Sequence, residues 1–254
     1  AIARGMDPNI VMAELLGKAD GSSGGKAGSM HLFDASKNFM GGYAIVGGQL
    51  PIAVGLGLAC KLKNNGNVVL CFLGDGAVNQ GTFHESLNLA SLWSLPIIFL
   101  LENNLYGMGT HVEITHAIGK DLYRMADAYK MAAAQIDGMD LVIVRNTTLD
   151  ALHQIHTYSK PMLIEAMTYR FRGHSMSDPA KYRDKSELSE WQTNDPIKKF
   201  TTLCLKRKLL TQDQIDQITK DVAQKVATSI EFAEKSPKPT IESMLENVYG
   251  EPQE

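Results

Sequence analysis

Asp75 stands inside a glycine turn, Gly74-Asp75-Gly76, that follows the apolar run NVVLCFL. Such turns usually bring main-chain N–H groups close to a phosphate, and a carboxylate in the turn opposes that use. Unit charges ~5 Å apart repel by roughly 3 kcal/mol at an effective dielectric near 20. A divalent cation removes the conflict. Mg²⁺ takes near-octahedral oxygen coordination and is commonly held by one or two protein oxygens together with phosphate oxygens of a ligand. Asn104 closes the next apolar run, LPIIFLLENN. If the two runs are neighbouring strands, Asp75 and Asn104 meet at the carboxyl edge of a sheet, where ligands bind in α/β folds.

Two other nucleotide-type patterns are weaker. GSSGGKAGS resembles a phosphate-binding loop, but Asp20 and Ala27 occupy positions where that pattern needs Gly and Ser or Thr. Gly74-Asp75-Gly76 could also open a dinucleotide fingerprint, with Glu102 as the ribose acid. Asn79 replaces the third Gly, and Asp75 would face a bare diphosphate.

The elements that must position these residues follow from periodicity. A short helical pattern covers Pro8–Leu16, followed by the Gly/Ser-rich GKADGSSGGKAGSMHLFD, which reads as a functional or partner-facing loop. GGYAIVGGQLPIAVGLGLACKL leads into a small-residue helix, with Lys61 and Lys63 suited to its C-terminal dipole. NVVLCFL and LPIIFLLE are strands, and a helix between them begins at Thr82, whose spacing to Glu85 fits a capping box. That is a βαβ unit of a parallel sheet with a right-handed crossover. MDLVIVR and PMLIEAMTYRF are expected as further strands, separated by a helix at Asp150–Tyr158. Beyond Asp178 the chain turns charged and helical. Thr211 and Gln214 could cap a helix carrying Ile215, Ile218, Val222 and Val226 on one stripe. The fold class is therefore α/β, a parallel sheet flanked by helices on both faces with a C-terminal helical appendage at 186–254, all in one domain.

Composition narrows the function. Hydrophobic residues make up 44 % and charged residues 21 %, as in an ordinary globular core. A net charge of −3 gives no general attraction to nucleic acid or to an anionic membrane. No apolar run approaches the roughly 20 residues of a membrane-spanning helix. Cys60, Cys71 and Cys204 are odd in number and scattered, which suits buried thiols and not a disulfide or zinc framework. The start AIARGMDPN has neither a signal peptide nor an initiator Met, as in a processed or trimmed chain. His153 and His156 stand three apart on a helix with no third ligand in sight, so a solvated face is expected. His84, in the helix after the glycine turn, reads as a packing or interface residue, and Asn79 and Gln80 as loop-shaping or plain turn residues.

GDGAVNQG followed by ENNLYGMGT, together with GGYAIVGGQLP and YRFRGHSMSDP, resembles the α-subunit family of the decarboxylating (first) component of the pyruvate dehydrogenase complex. The resemblance covers essentially the whole chain. It implies a thiamine-diphosphate-binding fold with Mg²⁺ held by Asp75, Asn104 and the main-chain carbonyl of Tyr106. It further implies diphosphate contacts from the main chain of Gly76 and Ala77, and aminopyrimidine contacts from the main chain of Ala44 and Val46. His174 matches a catalytic loop histidine near the diphosphate and substrate. Ser175, in a stretch whose composition suggests a mobile loop, matches a kinase target of mitochondrial relatives. Two further phosphosites fall on Lys181 and His111, so multi-site control is not expected.

The family's activity is decarboxylation of pyruvate and reductive acetylation of a lipoyl group. The implied partners are a β subunit, in an α2β2 heterotetramer that supplies an activating Glu, and a lipoyl-bearing acyltransferase core. NNLYGMGT favours pyruvate over branched-chain 2-oxo acids or acetoin, whose relatives usually read NNGYAIS. The compartment implied is the cytoplasm in a bacterium, or the mitochondrial matrix or plastid stroma in a eukaryote. A diphosphate-gripping Tyr-Arg pair and a second catalytic histidine lie upstream of Ala1–Gly5 in the family, so this chain is expected to lack the N-terminal segment. A trimmed, non-enzymatic assembly partner and a nicotinamide-dependent oxidoreductase are the competing readings.

Overall fold

The computed structural model describes residues 1–246 and 248. The chain divides into two compact units, Ala1–Ala44 with Leu210–Glu254, and Ile45–Leu209.

The second unit carries the sheet. Four parallel strands, β1 (Val69–Gly74), β2 (Ile97–Asn103), β5 (Ala132–Asp137) and β6 (Met162–Met167), lie in the order β1-β2-β6-β5. Helix α2 (Gln49–Lys63) and helix α3 (Gly81–Leu92) cover one face, where Leu50, Phe83 and Leu87 meet Ile97, Phe99, Leu101 and Leu163. Helix α5 (Leu141–Tyr158) covers the other through Ala151 and Ile155 against Ile98, Met162 and Ile164. That cover does not extend over β1, whose Leu70 and Phe72 are exposed. Between β2 and β5 come a two-stranded ribbon, β3 (Tyr106–Gly107) and β4 (Thr110–His111), and the short helix α4 (Val112–Thr115). Helices α6 (Lys185–Thr193) and α7 (Pro196–Lys206) end this unit.

Two local expectations need correction. MDLVIVR is not a strand: Asp140 accepts hydrogen bonds from the N–H groups of Val142 and Ile143, and so caps α5 at Leu141. The strand in that region is Ala132–Asp137 instead, a run of small residues at the sheet edge whose apolar signal is faint. Thr82 does not cap α3. A 3₁₀ turn, Asp75–Asn79, feeds the helix from Gly81, and the Thr82 hydroxyl donates to the carbonyl of Gly47.

In the first unit, helix α1 (Pro8–Leu15) starts at Asp7, which accepts from the Asn9 N–H, and packs against the long helix α8 (Gln212–Lys235). The capping box of Thr211 and Gln214 forms as the sequence suggests. Ser229 and Ala233 are the buried residues of α8, while Ile218, Val222 and Val226 are exposed. The stretch 186–254 is thus divided, with α6 and α7 in one unit and α8 in the other; residues 247 and 249–254 lie outside the described residues.

Glu14 organises the Gly/Ser-rich loop. Its buried carboxylate accepts four main-chain N–H groups, Ser23 at 2.7 Å, Gly25 at 3.0 Å, Ala27 at 2.7 Å and Gly28 at 3.1 Å. Gly25 is required there, because its φ is +73° and a Cβ would fall 2.5 Å from the carbonyl carbon of Gly17. The donors that a phosphate would need are already engaged by an internal carboxylate. Burial pushes the Glu14 carboxyl up, but the N–H groups of Ser23, Ala27, Gly25 and Gly28 together outweigh it and hold it below the usual carboxylate range. Its stabilisation is therefore complete above that range and fades as pH falls through the folded-state value. Glu14→Gln is expected to lower stability in urea by about 2–4 kcal/mol near neutral pH and to remove the acid dependence. An unchanged urea midpoint would contradict this role.

Candidate active site

The register of β1 on β2 pairs Gly74 with Glu102, so Asp75 leaves the sheet beside the end of β2. Asp75 is 2 % exposed. Burial raises its carboxyl above the usual range; the main-chain N–H groups of Asp75 and Asn104, and the Arg170 guanidinium, work against that rise. Among the described residues no side chain donates a hydrogen bond to it. Asn104 turns its side-chain oxygen back to the N–H of Tyr106 at 3.2 Å. Tyr106 is buried, and next to it Gly107 approaches Asp75: a Cβ on Gly107 would stand 3.9 Å from Asp75 Oδ2 and 3.5 Å from Gly76 Cα. The sequence-derived trio Asp75, Asn104 and Tyr106 is brought to one corner of the sheet.

Gly74 and Gly76 offer a test of what that corner accommodates. Neither has a positive φ, and a Cβ at Gly74 would meet nothing within 4 Å. At Gly76 it would touch only Gly107, at an ordinary 3.5 Å. The chain's own conformation and packing do not demand glycine at either place, so close approach by a group from outside the chain is the remaining reason for it. A carboxylate, an amide oxygen and a main-chain carbonyl form the hard oxygen set that Mg²⁺ prefers. The residues present fit a Mg²⁺–diphosphate group.

A second cluster comes from the segment after β6. Asp178 gathers the loop that carries His174. Its Oδ2 accepts from the His174 N–H at 3.0 Å and from the Tyr182 hydroxyl at 2.7 Å, and meets His174 Nδ1 at 2.9 Å. Its Oδ1 accepts from the Ala180 N–H at 2.8 Å. The Tyr182 hydroxyl above all, then Ala180 and His174, hold the Asp178 carboxyl well below the usual range. The His174 ring is thereby fixed through one nitrogen. Ser175 is exposed, and its hydroxyl lies 3.0 Å from that of Ser177. This loop is linked to the first corner: the Arg170 guanidinium donates to the Met108 carbonyl at 3.2 Å, and the Tyr106 hydroxyl donates to Glu187 of α6 at 2.9 Å. Burial, with the Glu187 carboxylate, pushes the Tyr106 phenol up to about 12.

The chain matches the family described as dehydrogenase E1 component over residues 1–242. This protein belongs to the dehydrogenase E1 component family. It is 42 % identical over 248 residues to the pyruvate dehydrogenase E1 component subunit alpha of Rickettsia typhi, covering 98 % of this chain and 76 % of that one. The protein of the same name from Rhizobium meliloti is 41 % identical over 248 residues, covering 97 % and 71 %. The chloroplastic subunit alpha-3 of Oryza sativa is 38 % identical over 262 residues, covering 99 % and 61 %. The E1 component family is thiamine-diphosphate dependent, and this chain has the family's parallel α/β sheet.

Within this E1 chain the other sequence-derived residues are placed as follows. Gly76 and Ala77 lie in the 3₁₀ turn begun by Asp75, with Ala77 buried. Ala44 and Val46 are exposed, one in each unit. His84 is exposed, 2.8 Å from the Tyr129 hydroxyl and edge-on to Phe83. His153 and His156 lie on the exposed face of α5. Two cavities, of about 400 and 350 Å³, open at the ends of β5 and β6 around Gln135, Met167 and Trp191, and Asp75 lines neither. Sequence reasoning missed Arg170, which donates to the Met108 carbonyl, and His116, which meets Asn79 at the end of the turn that Asp75 begins. Arg170 sits in a signature stretch and could have been noticed; His116 has no motif around it.

Removing Asp178 should free the His174 loop. Asp178→Ala is expected to speed tryptic cleavage after Arg172 and Lys181 by about tenfold, measured by limited proteolysis under native conditions. Equal cleavage rates would show that the loop is held by other contacts.

Proposed function

We propose that this chain is the α-type subunit of a thiamine-diphosphate- and Mg²⁺-dependent pyruvate dehydrogenase (acetyl-transferring), which decarboxylates pyruvate and reductively acetylates a lipoyl group. The observation that carries this reading is Asp75: a buried carboxylate without a side-chain donor, beside two glycines that the fold does not require and against the end of the neighbouring strand.

In this reading Asp75, the side-chain oxygen of Asn104 and the carbonyl of Tyr106 hold Mg²⁺. The main-chain N–H groups of Gly76 and Ala77 face the diphosphate, and the main chain at Ala44 and Val46 meets the aminopyrimidine ring. When bound, thiamine diphosphate supplies a carbanion nucleophile and an electron sink for decarboxylation. The protein's own contribution is positioning and proton handling. His174, oriented by Asp178, is the catalytic group that faces substrate. NNLYGMGT supports pyruvate as the 2-oxo acid. A β subunit, in an α2β2 heterotetramer, provides the activating Glu and the remaining wall of the site, and a lipoyl-bearing acyltransferase core receives the acetyl group.

Two outcomes are expected. Asp75→Ala and Asn104→Ala each abolish Mg²⁺-dependent thiamine diphosphate binding, followed by fluorescence quenching in the chain assembled with a β partner. Because burial raises the Asp75 pKa above its unfolded value, its ionised form opposes folding at pH above both values; Asp75→Asn should therefore leave the cofactor-free protein at least as stable as the parent. Parent-like binding in either alanine variant would overturn the metal assignment.

Ser175 is a regulatory position in this reading. A phosphate adds about −1.5 to −2 charges, and for charges ~7 Å apart at a dielectric of 20 the repulsion from one anionic charge is roughly 3–5 kcal/mol before screening. Ser175→Glu, assembled with a β chain, should lose most pyruvate decarboxylation while Ser175→Ala loses far less. Equal activity in the two variants would rule out electrostatic gating.

A further inference from the structure

His116 follows α4, with its N–H donated to the carbonyl of Val112 at 3.1 Å. The residue is only 5 % exposed. One ring atom, Nε2, meets the side-chain nitrogen of Asn79 at 3.5 Å. The other, Nδ1, is enclosed and has no hydrogen-bond partner among the described residues. Buried polar atoms are nearly always partnered, and leaving one unpaired costs about 1–3 kcal/mol. A side chain satisfied by packing alone would not place an imidazole here.

The position of the ring indicates what the missing partner is. Asn79 closes the 3₁₀ turn that Asp75 opens, so His116 braces the far end of the loop that bears the glycines. With the Asn79 amide donating to Nε2, the ring proton resides on Nδ1. The unpartnered atom is then a donor, on the side chain that holds the loop running from Asp75 to Asn79. A buried donor beside a carboxylate-held cation site suits an anionic oxygen that arrives with the cation.

We propose that His116 is an additional cofactor-binding residue, whose Nδ1–H donates to an oxygen of the diphosphate held at Asp75, while Nε2 keeps Asn79 and its loop in place. This rests on the Mg²⁺–thiamine diphosphate reading of the site. The two ring nitrogens have separate tasks, and they can be tested separately. The side-chain nitrogen of asparagine lies one bond from Cγ, as Nδ1 does; that of glutamine lies two bonds out, as Nε2 does.

The test is calorimetric titration of Mg²⁺–thiamine diphosphate into the chain assembled with its β partner, with thermal melting of the cofactor-free variants as the folding control. His116→Gln, which keeps a group facing Asn79 and loses the Nδ1 donor, is expected to weaken binding about ten- to a hundredfold. His116→Asn, which keeps the donor, is expected to stay within about threefold of the parent. Full binding by the glutamine variant would overturn the proposal, leaving a water as the partner of Nδ1. Loss of binding in the asparagine variant equal to or greater than in the glutamine variant would also overturn it, because the Asn79 contact alone would then matter. If the parent assembly itself binds no cofactor, and Asp75→Ala changes nothing, the cofactor reading fails and the proposal falls with it.

Discussion

The desolvated carboxylate of Asp75 is the constraint around which the rest of the sheet's carboxyl edge is arranged. Burial alone disfavours its charge, and no side chain of the described residues donates to it. The contrast with two other buried carboxylates shows that this is not a general habit of the fold. Glu14 is saturated by four main-chain N–H groups. Glu165, fully buried in β6, accepts from Asn103 at 2.7 Å, Tyr123 at 3.0 Å, Gln135 at 3.1 Å and Leu122 at 3.3 Å. Those two are structural carboxylates with their donors built in. Asp75 is left short of side-chain donors among the described residues, and perturbed carboxylates of that kind gather at functional sites.

Glu165 also explains how the corner is held without involving Asp75. Asn103 spends its side-chain nitrogen on Glu165 and on the carbonyl of Lys120, and its side-chain oxygen on the N–H of Leu105. The first Asn of the pair is therefore a brace, buried within the sheet end. The second, Asn104, is half-buried, and its side-chain oxygen accepts only the N–H of Tyr106 among the described residues. One side chain fixes the strand's exit, and the next one along is free to serve a ligand. Asn103 is the last residue of β2, and Asn104 lies just beyond the strand.

The segment after β6 is tied to that corner by aromatic and charged contacts. Tyr169 stacks on Trp191 of α6 with ring centroids 5.2 Å apart, and the Arg183 guanidinium lies over Tyr169. Tyr106 donates to Glu187 on the same helix. The His174 loop is thus anchored at both ends, and Asp178 orders its interior. Position, not flexibility, is what the local network provides.

Sequence by itself determined the strands at Val69–Gly74, Ile97–Asn103 and Met162–Met167, because apolar runs of that length between glycine or proline punctuation have few alternatives. It also determined that Asp75 and Asn104 end two such runs, and the resemblance of three long stretches supplied the family. It could not reveal β5: Ala132–Asp137 has too little apolar contrast, and the β-branched MDLVIVR beside it gives a stronger strand signal that the Asp140 cap overrides. Nor could it show that Glu14 fills the glycine-rich loop, that Asp178 holds His174, or that His116 lies behind Asn79, a separation of 37 residues. Those facts depend on which distant donors converge on one buried atom. Periodicity reports the face on which a residue lies; only the packed tertiary structure decides what it meets there.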